Sequence, residues 1–399
     1  MQLEVSLGDR PVGVLTLTSE GRGIDTISFD FHPSYWELPV RPILGQRFED
    51  ERTTPPSRMR APPWFSNLLP EGPLRELVAK RARVHSEREF FLLDALGNDL
   101  PGAVRIRALE PVVAPEADTP PPPSPTEGEL RFSLAGVQLK FSMVREGKGL
   151  TIPTRGVDGD WIAKLPGERF EAVTENEFSM MSWARASGIA TADFDLVSGS
   201  MLTNLPPEVG KLRGPVFATK RFDRSPQGRV HQEDFAQVLG VFAHEKYEQA
   251  NSETVANLFF RIAGPPALDE FIRRLVFVVA SGNEDAHLKN WALLYPLETR
   301  GTKATISPAY DFVSTIPYEG LKRGLGLKLG GTRDFRKVSL QHFRRLGERV
   351  GSDVVPTVKD AVQRTGEAWK AVRAELPLPD DFKRRLDEHL AAVPLFLGK

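Results

Sequence analysis

The chain has 399 residues, 40% of them hydrophobic and 26% charged, with a formal net charge of −1. That is the balance of a folded globular protein, and no global basic field demands nucleic acid. There are no cysteines, which excludes disulfides, thiolate metal sites and cysteine nucleophiles, and the length predicts two or three packed units rather than one.

The opening MQLEVSLGDRPVGVLTL alternates apolar and polar residues. LEVSL and GVLTL therefore predict a hairpin around Gly8-Asp9-Arg10. No basic segment leads into an apolar one, so no secretory signal is expected, and no apolar run approaches the roughly 20 residues that cross a bilayer. The expected location is the cytoplasm, with no membrane partner. WFSNLLPEGPLRELVAKRARV predicts a helical region with Pro73 in a first turn and Leu74, Leu77 and Val78 at helical spacing. EREFFLLDALGNDLPGAVRI predicts a short helix stopped at Gly97, then a strand.

Residues 111–127, PVVAPEADTPPPPSPTE, form a Pro-rich linker that divides a first unit, residues 1–110, from the rest. After it, LRFSLAG, VQLKFSMV, LTIPT and WIAKLP predict short strands. TENEFSMMSWARASGI predicts a helix with Thr174 as its cap, Glu177 at the capping-box position and Gly188 as its stop. FDLVSGSML and PVFATKRFD predict further strands, and from Gln232 onward helices dominate. The second part thus reads as a small β-rich lobe, residues 128–231, followed by a larger helical lobe, residues 232–399. A cleft between two such lobes is a common place for a ligand.

In the helical lobe, LDEFIRRLVFVVASG sets Leu268, Phe271, Ile272, Leu275 and Val279 on one helical face, with Gly282 as its stop. WALLY, Trp291–Tyr295, reads as a strand. Between them lies the polar stretch NEDAHLKN. Asp285 and Asn290 stand five positions apart, the D-x-x-x-x-N offset of a kinase catalytic loop, where the Asp meets the acceptor hydroxyl and the Asn a magnesium ion. Asp and Asn also occupy turns freely as caps, so the offset alone decides nothing. Downstream, ISPAYDFVST places Asp311 before Phe312 like a metal-binding D-F-G aspartate, or an ordinary turn residue. Upstream, Lys164 sits among Ile162, Ala163 and Leu165 like the strand lysine that meets nucleotide phosphates, or a solvent-facing one. Glu177 fits the helix glutamate that pairs with such a lysine, and also a capping box. What raises the kinase reading is the order: strand lysine, helix glutamate, D-x4-N loop, then D-F. No G-x-G-x-x-G precedes Lys164 and no P-loop motif occurs, so the chain is neither a standard protein kinase nor a P-loop NTPase. His244-Glu245 lacks the second histidine of H-E-x-x-H, and His32, His85, His342 and His389 are scattered.

The set Phe132–Lys140, Ile162-Ala163-Lys164-Leu165-Pro166, Asn176-Glu177, Arg221-Phe222-Asp223-Arg224, His231-Gln232-Glu233-Asp234, Asp285-x-His287-x-Lys289-Asn290 and Tyr310-Asp311 resembles the HipA family of bacterial toxin kinases. Asn67-Leu68-Leu69-Pro70 and Gly102-Ala103-Val104 extend the resemblance to the first unit. It implies an α+β, bilobal kinase-like fold related to phosphatidylinositol kinases: a small β-rich N-lobe with an extra N-terminal subdomain, and a larger, mainly α-helical C-lobe. It implies an ATP- and Mg2+-dependent serine/threonine kinase, the toxin of a type II toxin–antitoxin pair. The expected partners are a small helix-turn-helix antitoxin of the HipB type, operator DNA through it, and an aminoacyl-tRNA synthetase, glutamyl type, as substrate. By the same resemblance Asp285, His287 and Lys289 are catalytic, and Asn290 and Asp311 hold the metal. Ser133, Ala135, Gly136, Val137, Gln138, Lys140, Lys164 and Glu177 bind the nucleotide, with Lys220, Arg221 and Phe222 beside adenine. A family member carries glutamate where Lys220 stands: if main-chain groups hold adenine the change is harmless, and if that side chain meets the nucleotide its role here is open. Ser133 is the expected autophosphorylation site. Two other readings stay open: a same-fold kinase with a non-toxin substrate, and a catalytically weak scaffold in an antitoxin–DNA complex.

Overall fold

The computed structural model describes residues 1–19, 25–112, 138–152, 158–167, 169–297, 303–321 and 324–398. The expected hairpin forms. Strands β1 (Gln2–Leu7) and β2 (Arg10–Ser19) run antiparallel with Leu3 opposite Leu15, and Gly8 turns at φ +62°, where a side chain would be strained. With β3 (Asp25–Phe31), β4 (Ser57–Arg58) and β5 (Val104–Ala108) they make one sheet, ordered β4-β3-β2-β1-β5. Alternation sends Leu3, Val5 and Leu7 inward. The core they build also takes in Tyr35 of α1 (Pro33–Trp36), Phe48 of α2 (Gln46–Asp50) and Phe65 of α3 (Pro63–Ser66). The helical region expected from Trp64 onward is two helices, not one. α3 stops before Pro70, which has no N–H to give a continuing helix, and α4 (Gly72–Ala82) restarts with Pro73 in its first turn. α5 (Glu89–Leu96) ends at Gly97, as expected.

The second sheet holds β6 (Lys140–Glu146), β7 (Gly149–Thr151), β8 (Trp161–Lys164), β9 (Phe194–Ser198), β10 (Leu202–Thr203) and β11 (Pro215–Lys220), in the order β10-β7-β6-β8-β11-β9. Strand β8 has a partner on each side, so Lys164 lies opposite Lys140 of β6 and Phe217 of β11. The linker beyond Val112 and the LRFSLAG segment lie outside the described residues. Helix α6 (Val173–Ala186) starts differently from the expectation. Its N-cap is Ala172 at φ +49°, Thr174 lies inside the helix with its hydroxyl 3.0 Å from the Pro215 carbonyl oxygen, and no capping box involves Glu177. Gly188, at φ +86°, follows the helix end.

A hairpin of β12 (Arg224–Ser225) and β13 (Gly228–Arg229) leads into a third, antiparallel sheet of β14 (His231–Asp234), β15 (Ala292–Tyr295) and β16 (Thr305–Ile306). The remaining elements are helical: α7 (Phe235–Leu239), α8 (Ser252–Ala263), α9 (Pro265–Ser281), α10 (Leu340–Val350), α11 (Val355–Val372) and α12 (Asp380–Ala392). Helix α9 is the axis of this lobe. Leu268, Phe271 and Ile272 face the core from its first half, and every residue from Arg274 to Ser281 is buried. Gly282 ends it at φ +60°, and a Cβ there would stand 2.2 Å from Ile316. Among the described residues no helix is long and apolar enough to cross a membrane.

The first unit is tied to the second sheet through one buried carboxylate. Asp223, 3% exposed, accepts the Gly102 N–H at 2.8 Å and pairs with Arg221 and Arg224 at 2.8 and 2.9 Å. Both guanidiniums reach on to Asp99, at 2.7 and 2.9 Å. The opposed charges hold the Asp223 carboxyl below its ordinary value although burial alone would raise it. Removing one partner of such a network leaves the others buried and uncompensated. Asp223→Ala is therefore expected to cost about 3–5 kcal/mol in urea denaturation followed by circular dichroism. A loss below about 1 kcal/mol would show that water replaces the carboxylate at the seam.

Candidate functional site

Lys164 ends the central strand of the second sheet and is 9% exposed. A lysine placed there needs partners, and it has two. Its ammonium donates to Glu177 Oε1 of α6 at 2.6 Å and to Asp311 Oδ1. Burial alone would raise the Asp311 carboxyl, but Lys164 and Lys140 outweigh it and hold Asp311 at about 2. Glu177, 1% exposed, is pushed the other way: burial, helped by the charge of Asp311, lifts it to about 7. Both carboxylates meet the ammonium, and together they keep Lys164 charged although burial alone would lower its pKa. Asp311 itself sits at φ +58°. Asn176 holds that segment to α6: its amide nitrogen donates to Ser314 O at 2.8 Å and its amide oxygen accepts Ser314 N–H at 2.9 Å.

The polar stretch after α9 is a loop closed on itself. Asn283 Oδ1 accepts the Asp285 N–H at 2.9 Å, and Asn290 Oδ1 accepts the His287 N–H at 2.9 Å, ahead of a 3-10 turn at Leu288–Asn290. Asn290 turns its amide nitrogen to Asp311 Oδ2, 3.3 Å away, so its oxygen faces the loop backbone in this structure. Asp285 is 7% exposed and takes the Tyr247 hydroxyl on Oδ1. Gly326 presses on the loop from outside, since a Cβ there would lie 2.5 Å from Ala286 O. Gly324-Leu325-Gly326, which lies too late in the chain to cover a nucleotide before Lys164, thus packs the loop from behind.

The first unit reaches the same loop. Lys289 donates to Asn67 O at 3.0 Å and lies 3.6 Å from Glu71, which Lys246 meets at 2.8 Å. Burial would raise the Glu71 carboxyl, yet Lys289 and Lys246 hold it below the carboxylate range. His287, 3% exposed, is kept neutral by burial and by the charge of Lys246, and neither ring nitrogen has a hydrogen-bond partner among the described residues.

One cleft gathers Gln138, Lys140, Lys164, Glu177, Asp285, Asn290 and Asp311, with Val173 and Val313 as its apolar wall. Lys289 is turned to the first unit and His287 lies against Tyr247, ring centroids 5.1 Å apart. Ser133, Ala135, Gly136 and Val137 lie outside the described residues. Of the segment expected beside adenine, Lys220 is exposed and gives its N–H to Asp193 O at 2.7 Å, and the Arg221 side chain pairs with Asp99 and Asp223 at the seam. Phe222 lies tilted against Tyr310, 5.4 Å between ring centroids. His231 and His389 are bonded to backbone carbonyls at 2.8 Å and are structural. Tyr247 and Glu71 had no sequence signal of their own, and the motifs that held Asn67 and Asn176 did not tell what those side chains meet. Their partners are between 38 and 222 residues away.

Chemically, the cleft offers buried ammonium for anionic oxygens, a carboxylate–amide pair for a hard cation, and a second carboxylate to meet a hydroxyl. Among the described residues no cluster of three or more histidine or acidic side chains is placed to hold a metal unaided. A magnesium ion fits such a site, because it takes one or two protein oxygens and fills its shell with phosphate and water; Asn290 would have to share or turn its amide oxygen.

The description of the HipA-like C-terminal domain matches residues 132–375, and that of the HipA N-terminal domain matches residues 3–107. A protein of Sinorhizobium fredii named "Putative kinase Y4dM" is 42% identical over 99% of this chain and 97% of its own length. The "Serine/threonine-protein kinase toxin HipA" of Shewanella oneidensis is 25% identical over 82% of this chain and 78% of its own. Among solved structures, the complex of Shewanella oneidensis MR-1 HipA, HipB and operator DNA has a chain that superposes with a TM-score of 0.73 at 21% identity, covering 97% of this chain and 94% of that one. The likeness shows the bilobal kinase-like α+β fold.

Glu71 gives the site a pH signature. Its folded value lies below the ordinary 4.5, so the stability it adds is complete above 4.5 and drains as pH falls below it. The side chain is 32% exposed, which screens the effect. Thermal midpoints of the wild type and Glu71→Gln, read from pH 6 to pH 3 as a range around that value, should converge as acid is added. A difference that stays constant across the range would show that Glu71 contributes no ion pairing.

Proposed function

The chain belongs to the HipA family, and on that premise we propose that it is an ATP- and magnesium-dependent serine/threonine protein kinase acting as the toxin of a toxin–antitoxin pair. The observation that carries this reading is the buried Lys164 ammonium bridging Glu177 and Asp311 in the cleft that Asp285 and Asn290 also line.

Lys164 would give its proton donors to phosphate oxygens while Glu177 keeps the ammonium aimed, and Lys140 would add a second positive charge. Asp311 and Asn290 would hold magnesium, which neutralises phosphate charge when bound. Asp285 would accept the proton of an acceptor serine or threonine as its oxygen bonds to the γ-phosphorus and the bond to ADP breaks. Positioning and electrostatic stabilisation supply most of the rate. His287 and Lys289 belong to the same loop; neutral His287 adds no charge there, and Lys289 anchors the loop to the first unit.

The proposal extends to partners and organisation. The Shewanella relative is named a toxin and was solved with HipB and operator DNA. A small helix-turn-helix antitoxin, bringing this chain to operator DNA, is proposed here by that likeness. The near-neutral charge leaves most DNA affinity to the antitoxin. The protein substrate is proposed to be an aminoacyl-tRNA synthetase, glutamyl type, in the cytoplasm. Ser133 is the proposed autophosphorylation site, since a phosphate there would repel ATP. The proposed division is residues 1–110, the linker 111–127, a nucleotide-binding lobe 128–231 and a catalytic lobe 232–399. A core of its own on the first sheet supports the first division, and the core around α9 also takes in Met180, Trp183 and Phe217 of the nucleotide-binding lobe.

The test is purified protein with γ-labelled ATP and magnesium, alone and with synthetases. Label should reach the protein itself or a synthetase, and Asp285→Asn should lower the rate on the order of a hundredfold or more. Absence of transfer by the wild type, or equal transfer by Asp285→Asn, would end the reading.

A further inference from the structure

Asp285 comes from the loop after α9, but what fixes its carboxylate comes from the connection between α7 and α8. There Ala243–Glu245 forms a 3-10 turn and Lys246-Tyr247-Glu248 follows as a strap under the loop. The strap is held on three sides. Lys246 O accepts the Leu288 N–H at 3.2 Å, and Lys246 reaches Glu71 of the first unit at 2.8 Å. Arg333 donates to Tyr247 O at 2.7 Å and to Leu325 O at 2.9 Å. The Tyr247 ring meets the buried His287 ring edge-on. A tyrosine fixed through its main chain and its ring has little freedom left in its hydroxyl, and that hydroxyl donates to Asp285 Oδ1. Asp285 lines the cleft and Tyr247 does not.

We propose that Tyr247 is a positioning residue for Asp285. Its hydroxyl occupies one carboxylate oxygen from behind the cleft wall, and so selects the rotamer in which the carboxylate meets an acceptor hydroxyl arriving from the cleft. The loop's two asparagines act on the main chain instead. Asn283 and Asn290 fix main-chain N–H groups at residues 285 and 287, not the direction of the Asp285 side chain. A carboxylate left to rotate would spend most of its time misaligned, and misplacement of a reacting group by about 1 Å can cost on the order of a hundredfold. The assignment rests on the phosphotransfer reading above and adds a residue to it. It predicts a loss in turnover and not in nucleotide binding, because no phosphate- or metal-facing group is touched.

The experiment is Tyr247→Phe, which removes the hydroxyl and keeps the ring against His287. Label transfer from ATP, ATP affinity by calorimetry and the thermal midpoint are measured together, with Asp285→Asn in parallel. The expected result is a kcat lower by about ten- to a hundredfold, with KM for ATP and ATP affinity within about twofold of wild type and the midpoint nearly unchanged. Wild-type kcat in Tyr247→Phe would overturn the assignment and leave the kinase reading standing. So would a loss that appears in ATP affinity or in the thermal midpoint, since that marks a structural role. Asp285→Asn with wild-type transfer would instead sink the phosphotransfer reading, and this assignment with it.

Discussion

An ammonium held out of water between two carboxylates tolerates very little movement, and that constraint organises the structure around Lys164. The cost of burying the charge is offset only if both partners stay within hydrogen-bond reach. The fold supplies each from a different element. A strand with a neighbour on both sides fixes Lys164, α6 fixes Glu177, and the segment after β16 fixes Asp311, with Asn176 joining the last two. The groups also shift one another: Lys164 and Lys140 pull Asp311 down, while burial pushes Glu177 up against the pull of Lys164.

The opposite wall is rigid for a different reason. Helix α9, buried all round in its second half, stops at a glycine whose left-handed backbone releases the chain into the loop. Asn283 and Asn290 close the loop from within, Gly326 allows another backbone to press on it, and Asn67 and Glu71 reach it from the first unit. The first unit is therefore part of the site's frame. It is fastened at the Asp223 seam, at the buried Glu233, which accepts from Gln46 N–H and Trp64 Nε1, and at Lys289.

Much of this was legible in the amino-acid order because it is local. The hairpin at Gly8, the stop of α5 at Gly97 and of α9 at Gly282, and the strand carrying Lys164 all follow from alternation, helical spacing and glycine. The start of α6 shows where local reading fails. Thr174 and Glu177 have the spacing of a capping box, but Glu177 is worth more against a buried ammonium than at a helix end, and the helix starts at Val173 instead. The break between α3 and α4 was written in Pro70, but the apolar spacing on either side hid it. The bonds of Tyr247 to Asp285, of Lys246 to Glu71 and of Gly102 to Asp223 were illegible because nothing in a side chain's neighbours along the chain tells what it meets across 38 or more residues.

The central claim is that the Lys164–Glu177–Asp311 arrangement is a magnesium–nucleotide site. Titration calorimetry of ATP into the protein, with and without magnesium and in wild type and Lys164→Met, tests it most directly. The account predicts magnesium-dependent, one-to-one binding that Lys164→Met weakens by about tenfold or more, the worth of roughly one charge-assisted contact. Equal binding by both proteins, or none by the wild type in magnesium, would contradict it.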